Sequence, residues 1–148
     1  MSRAPEFWHH HAGISVPDLE QAIAWYQQVL GFELQFRSVL PSANARVAFL
    51  KNGDQHIELF EVDGAQPLPA GRRVPDEDLR THGNKHVCFG VDNIAAFSGA
   101  MKDRGADIVW VKVIDADKAV MFIRDLAGNL IEFMQAPRPA GSTSRLAG

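Results

Sequence analysis

Hydrophobic and polar positions follow the same order in both halves of the chain. In the first half, the pattern over residues 8–16 predicts a strand, and apolar residues at three- and four-residue spacing over residues 19–30 predict a helix. Asp18 is a suitable N-cap for this helix, and Gly31 is a suitable end. Three further strands are predicted at residues 32–40, 46–50 and 56–62.

The pattern restarts after residue 84. Residues 85–91 predict a strand, and Asp92 is a suitable N-cap for a helix that runs through Met101 and ends at Gly105. Further strands are predicted at residues 107–114, 119–124 and 129–135. Each half therefore predicts a βαβββ module. Because neither module easily buries its own sheet, we expect an α+β fold in which both modules pack as one curved, mixed eight-stranded sheet.

The predicted domain spans residues 8–135, with module one at 8–62 and module two at 85–135. The loop between them, residues 63–84, is rich in proline and glycine, and connections of this length are uncommon unless they are functional or mobile. We interpret it as a lid or a dimer contact, in which Arg72, Arg73 or Arg80 either meets an anionic substrate or simply keeps the loop solvated. Residues 136–148 have little to pack and are predicted to form a flexible tail.

Composition and charge narrow the range of functions. The chain of 148 residues is 46% hydrophobic and 22% charged, as in ordinary globular domains. Its net charge of −3 argues against nucleic acid as a partner, which usually requires a basic face. No apolar run approaches the roughly 20 residues that cross a bilayer. Cys88 is the only cysteine, so an internal disulfide is impossible and we expect a cytoplasmic location.

The two halves also repeat residues of the kind that bind metals. His11 is matched 75 positions later by His86, and glutamates follow these histidines after 47 and 46 positions, as Glu58 and Glu132 in apolar strands. Imidazole nitrogen and carboxylate oxygen together suit Zn, Ni, Co, Mn or Fe(II). The sequence therefore predicts one divalent metal per site, with positions left open for water or a small-molecule substrate.

Each of these residues taken alone has a plainer explanation. A glutamate between apolar neighbours on a strand often faces solvent, and a strand histidine is more often hydrogen-bonded than metal-bound. The matched spacing of both residue types is what favours the metal site. Some residues lack a repeat partner or only flank a turn, so they receive no ligand or catalytic role: His9, His10, His56, His82, Asp125 and Asn129.

These stretches resemble the vicinal oxygen chelate superfamily, which includes glyoxalase I, methylmalonyl-CoA epimerase, fosfomycin-resistance transferases, bleomycin-binding proteins and extradiol dioxygenases. The resemblance rests on residues 11–32, 86–91 and 122–132. It implies a glyoxalase-like fold, with paired modules around a metal-holding cup. It also implies a substrate that chelates the metal through adjacent oxygens and, as in many small members, a homodimer in which each cup is built from two chains.

Departures from the family patterns narrow the reaction. Ser15 and Val62 stand where glutathione-dependent glyoxalase I has an arginine and an asparagine, which disfavours ordinary glutathione binding. Glu58 stands where methylmalonyl-CoA epimerases usually have glutamine. The extra carboxylate suits proton transfer next to a metal-chelated carbonyl, with Glu132 as the base and Glu58 as its counterpart on the opposite face. We therefore expect an isomerase, epimerase or lyase.

Two alternatives remain at this point. One is a small Fe(II)-dependent dioxygenase, in which His11, His86 and Glu132 form a facial set and Glu58 is a spectator. The other is a non-catalytic protein that binds a ligand or confers resistance without a metal. Dependence of turnover on oxygen and metal content of the purified protein distinguish these possibilities.

Overall fold

Each half of the chain folds as a βαβββ module in the computed structural model, which describes residues 3–143. Module one contains β1 (Ala12–Ser15), α1 (Leu19–Leu30), β2 (Glu33–Leu40), β3 (Ala45–Asn52) and β4 (Gln55–Val62). The connecting loop carries a 3₁₀ helix over Ala70–Arg73 and one short α-helix, α2 (Pro75–Asp78). Module two contains β5 (Val87–Val91), α3 (Ile94–Asp103), β6 (Asp107–Val113), β7 (Ala119–Arg124) and β8 (Leu130–Gln135).

The two long helices begin at side-chain caps. The Asp18 carboxylate accepts a hydrogen bond from the backbone of Gln21, and Gly31 ends α1 in the left-handed conformation with φ 68°. The cap of α3 is Asn93, whose side chain accepts from the backbone of Ala96 at 2.8 Å. The prediction of Asp92 as this cap was therefore wrong by one position, because both residues are good caps and the helix begins one residue later than expected.

The strands form two four-stranded mixed sheets with identical topology. The strand orders are β1-β4-β3-β2 and β5-β8-β7-β6, and in each sheet the first pair is parallel and the others are antiparallel. The predicted α+β fold with two βαβββ modules is confirmed. It takes the form of two separate sheets within the chain, and not one continuous sheet, because β1 and β5 are the outer strands of their own sheets.

The modules pack against each other through their helix-covered faces. Side chains from both modules form one buried core, including Tyr26 on α1, Met101 on α3, Leu59 on β4 and Ile131 on β8, all with 0% exposure. The burial of these faces follows from the alternation of the strands. The opposite face of each sheet has no such cover among residues 3–143, as the 52% exposure of Phe36 illustrates.

The connecting loop is anchored by a buried carboxylate. Asp78 is 1% exposed and accepts hydrogen bonds from Arg72 Nε at 2.9 Å and Lys85 Nζ at 3.3 Å. Burial raises the pKa of Asp78, but these hydrogen bonds outweigh burial and hold the pKa below its usual value. Arg73 donates to the carbonyl of Leu68. Two of the three loop arginines are thus engaged within the loop, and a role as lid or dimer contact stays a prediction.

The predicted tail begins directly after β8. Within it, the backbone N–H of Thr143 donates to Asp54 Oδ2 at 2.8 Å, and the Asp54 N–H donates to the carbonyl of Thr143 at 3.0 Å. Residues 144–148 lie outside the described residues, and the flexibility of the tail stays a prediction. Among residues 3–143, no helix has the length and apolar character needed to cross a bilayer.

Candidate metal centre

The first pair of predicted ligands meets on the uncovered face of module one. His11 lies directly before β1, and Glu58 lies in β4 opposite Gly13 of the parallel neighbour β1. His11 Nε2 lies 3.0 Å from Glu58 Oε2. We call these two residues the first His–Glu pair.

The second pair has the same construction in module two. His86 lies directly before β5, and Glu132 in β8 lies opposite Cys88. His86 Nε2 lies 2.6 Å from Glu132 Oε2, and the two side chains are 24% and 15% exposed. These residues are the second His–Glu pair. The repetition read from the sequence is therefore also a repetition of local geometry.

An aromatic wall borders each pair. Phe49 lies opposite both Glu58 and Phe36, contacts the imidazole of His11 edge-on at 5.4 Å and stacks on Phe36 at 4.6 Å. In module two, Phe122 contacts His86 and Trp110, with both centroid distances 4.9 Å. Polar groups beside an apolar wall are typical of small-molecule sites.

The two donor atoms of each pair are spaced like two adjacent ligands of one metal ion. Two ligands at right angles, each about 2.1 Å from a metal ion, are about 3.0 Å apart. The observed separations of 3.0 Å and 2.6 Å are close to this value. Each pair supplies one neutral nitrogen and one anionic oxygen, so two pairs together would neutralise a dication.

A single chain does not bring the two pairs together. Among residues 3–143, no group of three or more His, Cys, Asp or Glu side chains is placed to hold a metal ion. Within residues 3–143 of one chain, the two His–Glu pairs therefore do not form a single metal centre. The physical reason is that the modules pack through their helix-covered faces, whereas the pairs lie on the opposite faces. The ligand role of the four residues stays a prediction.

An open groove of about 1200 Å³ runs between the outer strands β1 and β5. Its walls include His11 and Ser15 on one side, His86 on the other, and Arg72 from the loop. Within the described chain, β1 pairs only with β4, and β5 pairs only with β8. Each strand therefore has one edge that is free to pair with another chain.

Comparison with known proteins identifies the family. Residues 10–123 match the model of the Glyoxalase/Bleomycin resistance protein/Dioxygenase superfamily. The chain belongs to this superfamily. Mitochondrial methylmalonyl-CoA epimerases from Bos taurus and Homo sapiens are 33% and 32% identical over 131 residues, which cover 86% of this chain and 73% of each relative. A lactoylglutathione lyase from Haemophilus influenzae is 29% identical over 133 residues, covering 84% of this chain and 90% of the relative.

Solved structures of the superfamily share the fold. A glyoxalase family protein from Enterococcus faecalis superposes with a TM-score of 0.71 at 24% identity, covering 86% of this chain and 96% of that one. The trypanothione-dependent glyoxalase I of Leishmania major gives a TM-score of 0.65 at 20% identity, covering 88% and 87%. The predicted glyoxalase-like fold is therefore confirmed, and the relatives named above are epimerases and lyases.

Sequence reasoning missed a histidine beside the first His–Glu pair. His10 Nδ1 lies 2.7 Å from His11 Nδ1, and the ring of His10 stacks on that of His56 at 5.9 Å. The sequence analysis gave His10 no role because it lacks a repeat partner, and it placed residues 9–11 inside the predicted strand 8–16. Since β1 begins at Ala12, strand alternation does not apply to residues 9–11.

A cysteine lies on the ligand-bearing face of module two. Cys88 is paired with Glu132 in the β5–β8 register and occupies the position that Gly13 has in module one. Desolvation of the sulfur, followed by the charge of Glu132 and a hydrogen bond to it, raises the pKa of the Cys88 thiol to about 12, although the residue as a whole is exposed. The group is therefore a thiol at neutral pH and adds no negative charge to the second His–Glu pair.

A buried polar network also connects the two modules of this chain. Tyr26 of module one donates to Asp125 Oδ2 at 3.0 Å. Asn129 donates to the same oxygen at 2.9 Å and to the backbone carbonyl of Ser15 at 3.2 Å. The sequence analysis gave Asp125 and Asn129 no role, although the Asp-Leu-Ala-Gly-Asn turn is a signal for side-chain to backbone hydrogen bonds.

Proposed function

We propose that this protein is a divalent-metal-dependent epimerase or isomerase that moves a proton at the carbon next to a carbonyl. The observation that carries the proposal is the duplicated His–Glu pair, with nitrogen and oxygen donors 3.0 Å and 2.6 Å apart at matching positions of the two modules. An ethylmalonyl-CoA/methylmalonyl-CoA epimerase of Cereibacter sphaeroides is 31% identical over 133 residues. A 2-substituted malonyl thioester of coenzyme A is therefore our first candidate substrate.

We infer that two chains build each site. The four proposed ligands form two His–Glu pairs, and one chain holds these pairs apart. A twofold dimer in which the first His–Glu pair of one subunit meets the second pair of its partner would give two equivalent sites. The free edges of β1 and β5 on the groove support this arrangement, because pairing would satisfy their exposed backbone groups.

The chemistry follows from the donor set. A divalent cation held by His11, Glu58, His86 and Glu132 would polarise the substrate carbonyl and acidify the adjacent C–H bond. Glu132, once released from the cation, would remove the proton from one face of the carbon, and Glu58, once released and protonated, would return a proton to the other face. The configuration inverts, and exchange with water restores both carboxyl groups.

The surroundings of the carboxylates suit this role. The side chains of Glu58 and Glu132 are only 17% and 15% exposed, and an aromatic ring lies beside each of them. Partial exclusion of water strengthens electrostatic interactions in the site. The absence of the glyoxalase arginine and asparagine at Ser15 and Val62 favours a coenzyme A thioester over a glutathione adduct.

Deuterium exchange tests the proposed reaction. The protein loaded separately with Co²⁺, Ni²⁺, Mn²⁺, Zn²⁺ or Fe²⁺ is incubated without oxygen in D₂O with methylmalonyl-CoA, and mass spectrometry follows deuterium at C2. We expect exchange in the wild type and a loss of about 10²–10⁴-fold in Glu132→Gln or Glu58→Gln, as for other general bases. Glu33→Gln, an exposed glutamate on β2, is the matched control.

The same experiment contains the contrary outcomes. Full exchange by a metal-loaded Glu132→Gln variant would refute the assignment of the base. Turnover that appears only when the incubation is repeated with oxygen would favour the Fe(II)-dependent dioxygenase. A protein that binds the thioester but contains no metal and exchanges no deuterium would indicate a non-catalytic ligand-binding protein.

A further inference from the structure

We infer that His10 is a positioning residue that sets the tautomer and ring orientation of His11. The inference rests on the proposed metal site, but it concerns a residue outside the four proposed ligands. It starts from one contact, the 2.7 Å separation between the Nδ1 atoms of the two imidazoles. At this distance one nitrogen carries the proton and the other accepts it.

The position of His11 is fixed on three sides. Its Nε2 lies 3.0 Å from Glu58 Oε2, and its Nδ1 faces His10. Its ring makes a T-shaped contact with the ring of Phe49, at a centroid distance of 5.4 Å. His10 is itself supported by the ring of His56, at 5.9 Å and an interplanar angle of 21°. Both nitrogens of His11 thus have a partner, which is what a metal-binding imidazole requires for a fixed orientation.

The proton positions differ between the metal-free and the metal-loaded site. For the metal-free site we assign the proton of His11 to Nε2, where it can be donated to the Glu58 carboxylate; His11 Nδ1 is then the acceptor and His10 Nδ1–H the donor. When His11 Nε2 offers its lone pair to a cation, the proton of neutral His11 lies on Nδ1. His10 must then accept at Nδ1 and carry its own proton on Nε2. The number of protons on the two rings is unchanged, and the hydrogen bond between them reverses.

An imidazole at position 10 can serve both states, because each of its nitrogens can be a donor or an acceptor. The corresponding residue in module two is Lys85, directly before His86. Lys85 Nζ donates to the backbone carbonyl of Asp78 at 2.7 Å and to the carbonyl of Thr81. An ammonium group cannot accept a hydrogen bond, so Lys85 cannot take the place of His10. The two His–Glu pairs therefore have the same proposed ligands but differ in the residue that directly precedes the histidine.

Zinc binding by His10 variants tests the inference. The Zn²⁺ dissociation constant is measured by competition with a chelating dye for wild type, His10→Ala, His10→Gln and His9→Ala. We expect His10→Ala to bind about 10-fold or more weakly, in line with the loss of other partners of ligating histidines. The amide of His10→Gln can donate or accept, so this variant should retain most of the affinity. His9→Ala is the control, because His9 is an exposed neighbour in the same segment.

Long-range ¹H–¹⁵N spectra supply a readout that does not depend on activity. We expect the proton of His11 on Nε2 in the metal-free protein and on Nδ1 after addition of Zn²⁺, with the proton of His10 moving to Nε2. Unchanged Zn²⁺ affinity in His10→Ala, or a His10 tautomer that does not respond to Zn²⁺, would overturn the role of His10 and leave the metal site intact. A wild-type protein that binds no Zn²⁺ would overturn the metal site as well.

Discussion

Replacing Tyr26 by phenylalanine should destabilise the protein by breaking the network between the modules. Tyr26 is fully buried, and its hydroxyl donates to Asp125 Oδ2 at 3.0 Å. The variant keeps the ring and therefore opens no large cavity. It removes one of two donors to Oδ2, since the side chain of Asn129 still reaches that oxygen at 2.9 Å.

The size of the effect follows from the charge of the acceptor. A hydrogen bond to a charged group contributes about 1.5–3 kcal/mol, and because Asn129 remains, the lower half of this range applies, about 2 kcal/mol. For a chain of this size, such a loss corresponds to a fall in Tm of about 4–8 °C.

The effect should also depend on pH. Burial raises the pKa of Asp125, although hydrogen bonds from Asn129, Tyr26 and Ala127 oppose the rise. A raised carboxyl pKa means that the folded state holds the proton more tightly than the unfolded state. The corresponding stability is fully present below the unfolded pKa of about 3.9 and is lost as pH rises through the folded pKa. The hydroxyl of Tyr26 helps most where Asp125 is ionised, so the penalty of Tyr26→Phe should grow across this window.

Urea unfolding at pH 4 and pH 8, at one fixed protein concentration, measures both quantities. Ser98→Ala is the control, since it removes a hydroxyl that makes only an exposed hydrogen bond to the carbonyl of Ala95. A penalty for Tyr26→Phe at pH 8 no greater than that of Ser98→Ala would refute the reasoning. A penalty that is larger at pH 4 than at pH 8 would contradict the assigned titration of Asp125.

Two further predictions concern other titratable groups. Asp78 has a lowered pKa, so its contribution to stability is present above the unfolded pKa and is lost as pH falls through the folded pKa. Asp78→Asn should therefore lower stability at pH 7 and make the loss of stability in acid less steep. Thermal unfolding from pH 3 to pH 7 measures both effects. Acid-induced loss of stability identical to that of the wild type would contradict this. Cys88 in the metal-free protein should react with iodoacetamide at pH 8 far more slowly than N-acetylcysteine, because a pKa of about 12 leaves a thiolate fraction on the order of 10⁻⁴. Equal rates, followed by mass spectrometry, would show that the thiol is not perturbed.

The helices and strands were predictable because their signals are local. The apolar spacing of α1, its Asp18 cap and the left-handed Gly31 follow from residues within one or two turns. The duplication of His and Glu could be read because the repeat keeps nearly the same spacing in both modules. The alternation in β4 also identifies Leu59 as a core residue and sets Glu58 on the other face.

Long-range contacts were not predictable in the same way. Alternation shows which face of a sheet is apolar, but not which surface covers it, so it did not reveal that the modules pack through their helices and leave the His–Glu pairs apart. The contact of Tyr26 with Asp125 joins residues 99 positions apart, and no local pattern encodes it. The contact of His10 with His11 was missed because it depends on where β1 begins.

The central claim is that each metal site combines the first His–Glu pair of one chain with the second pair of another. Its most direct test mixes two inactive variants, His11→Ala/Glu58→Ala and His86→Ala/Glu132→Ala, after subunit exchange. Each variant alone should bind no tightly held metal. If sites are shared, random mixing of subunits restores one site in about half of the dimers, or about 0.25 metal ions per chain against about 1 in the wild type. We expect the mixture to recover this metal content and exchange activity. A mixture that binds no more metal than either variant alone would contradict the shared site.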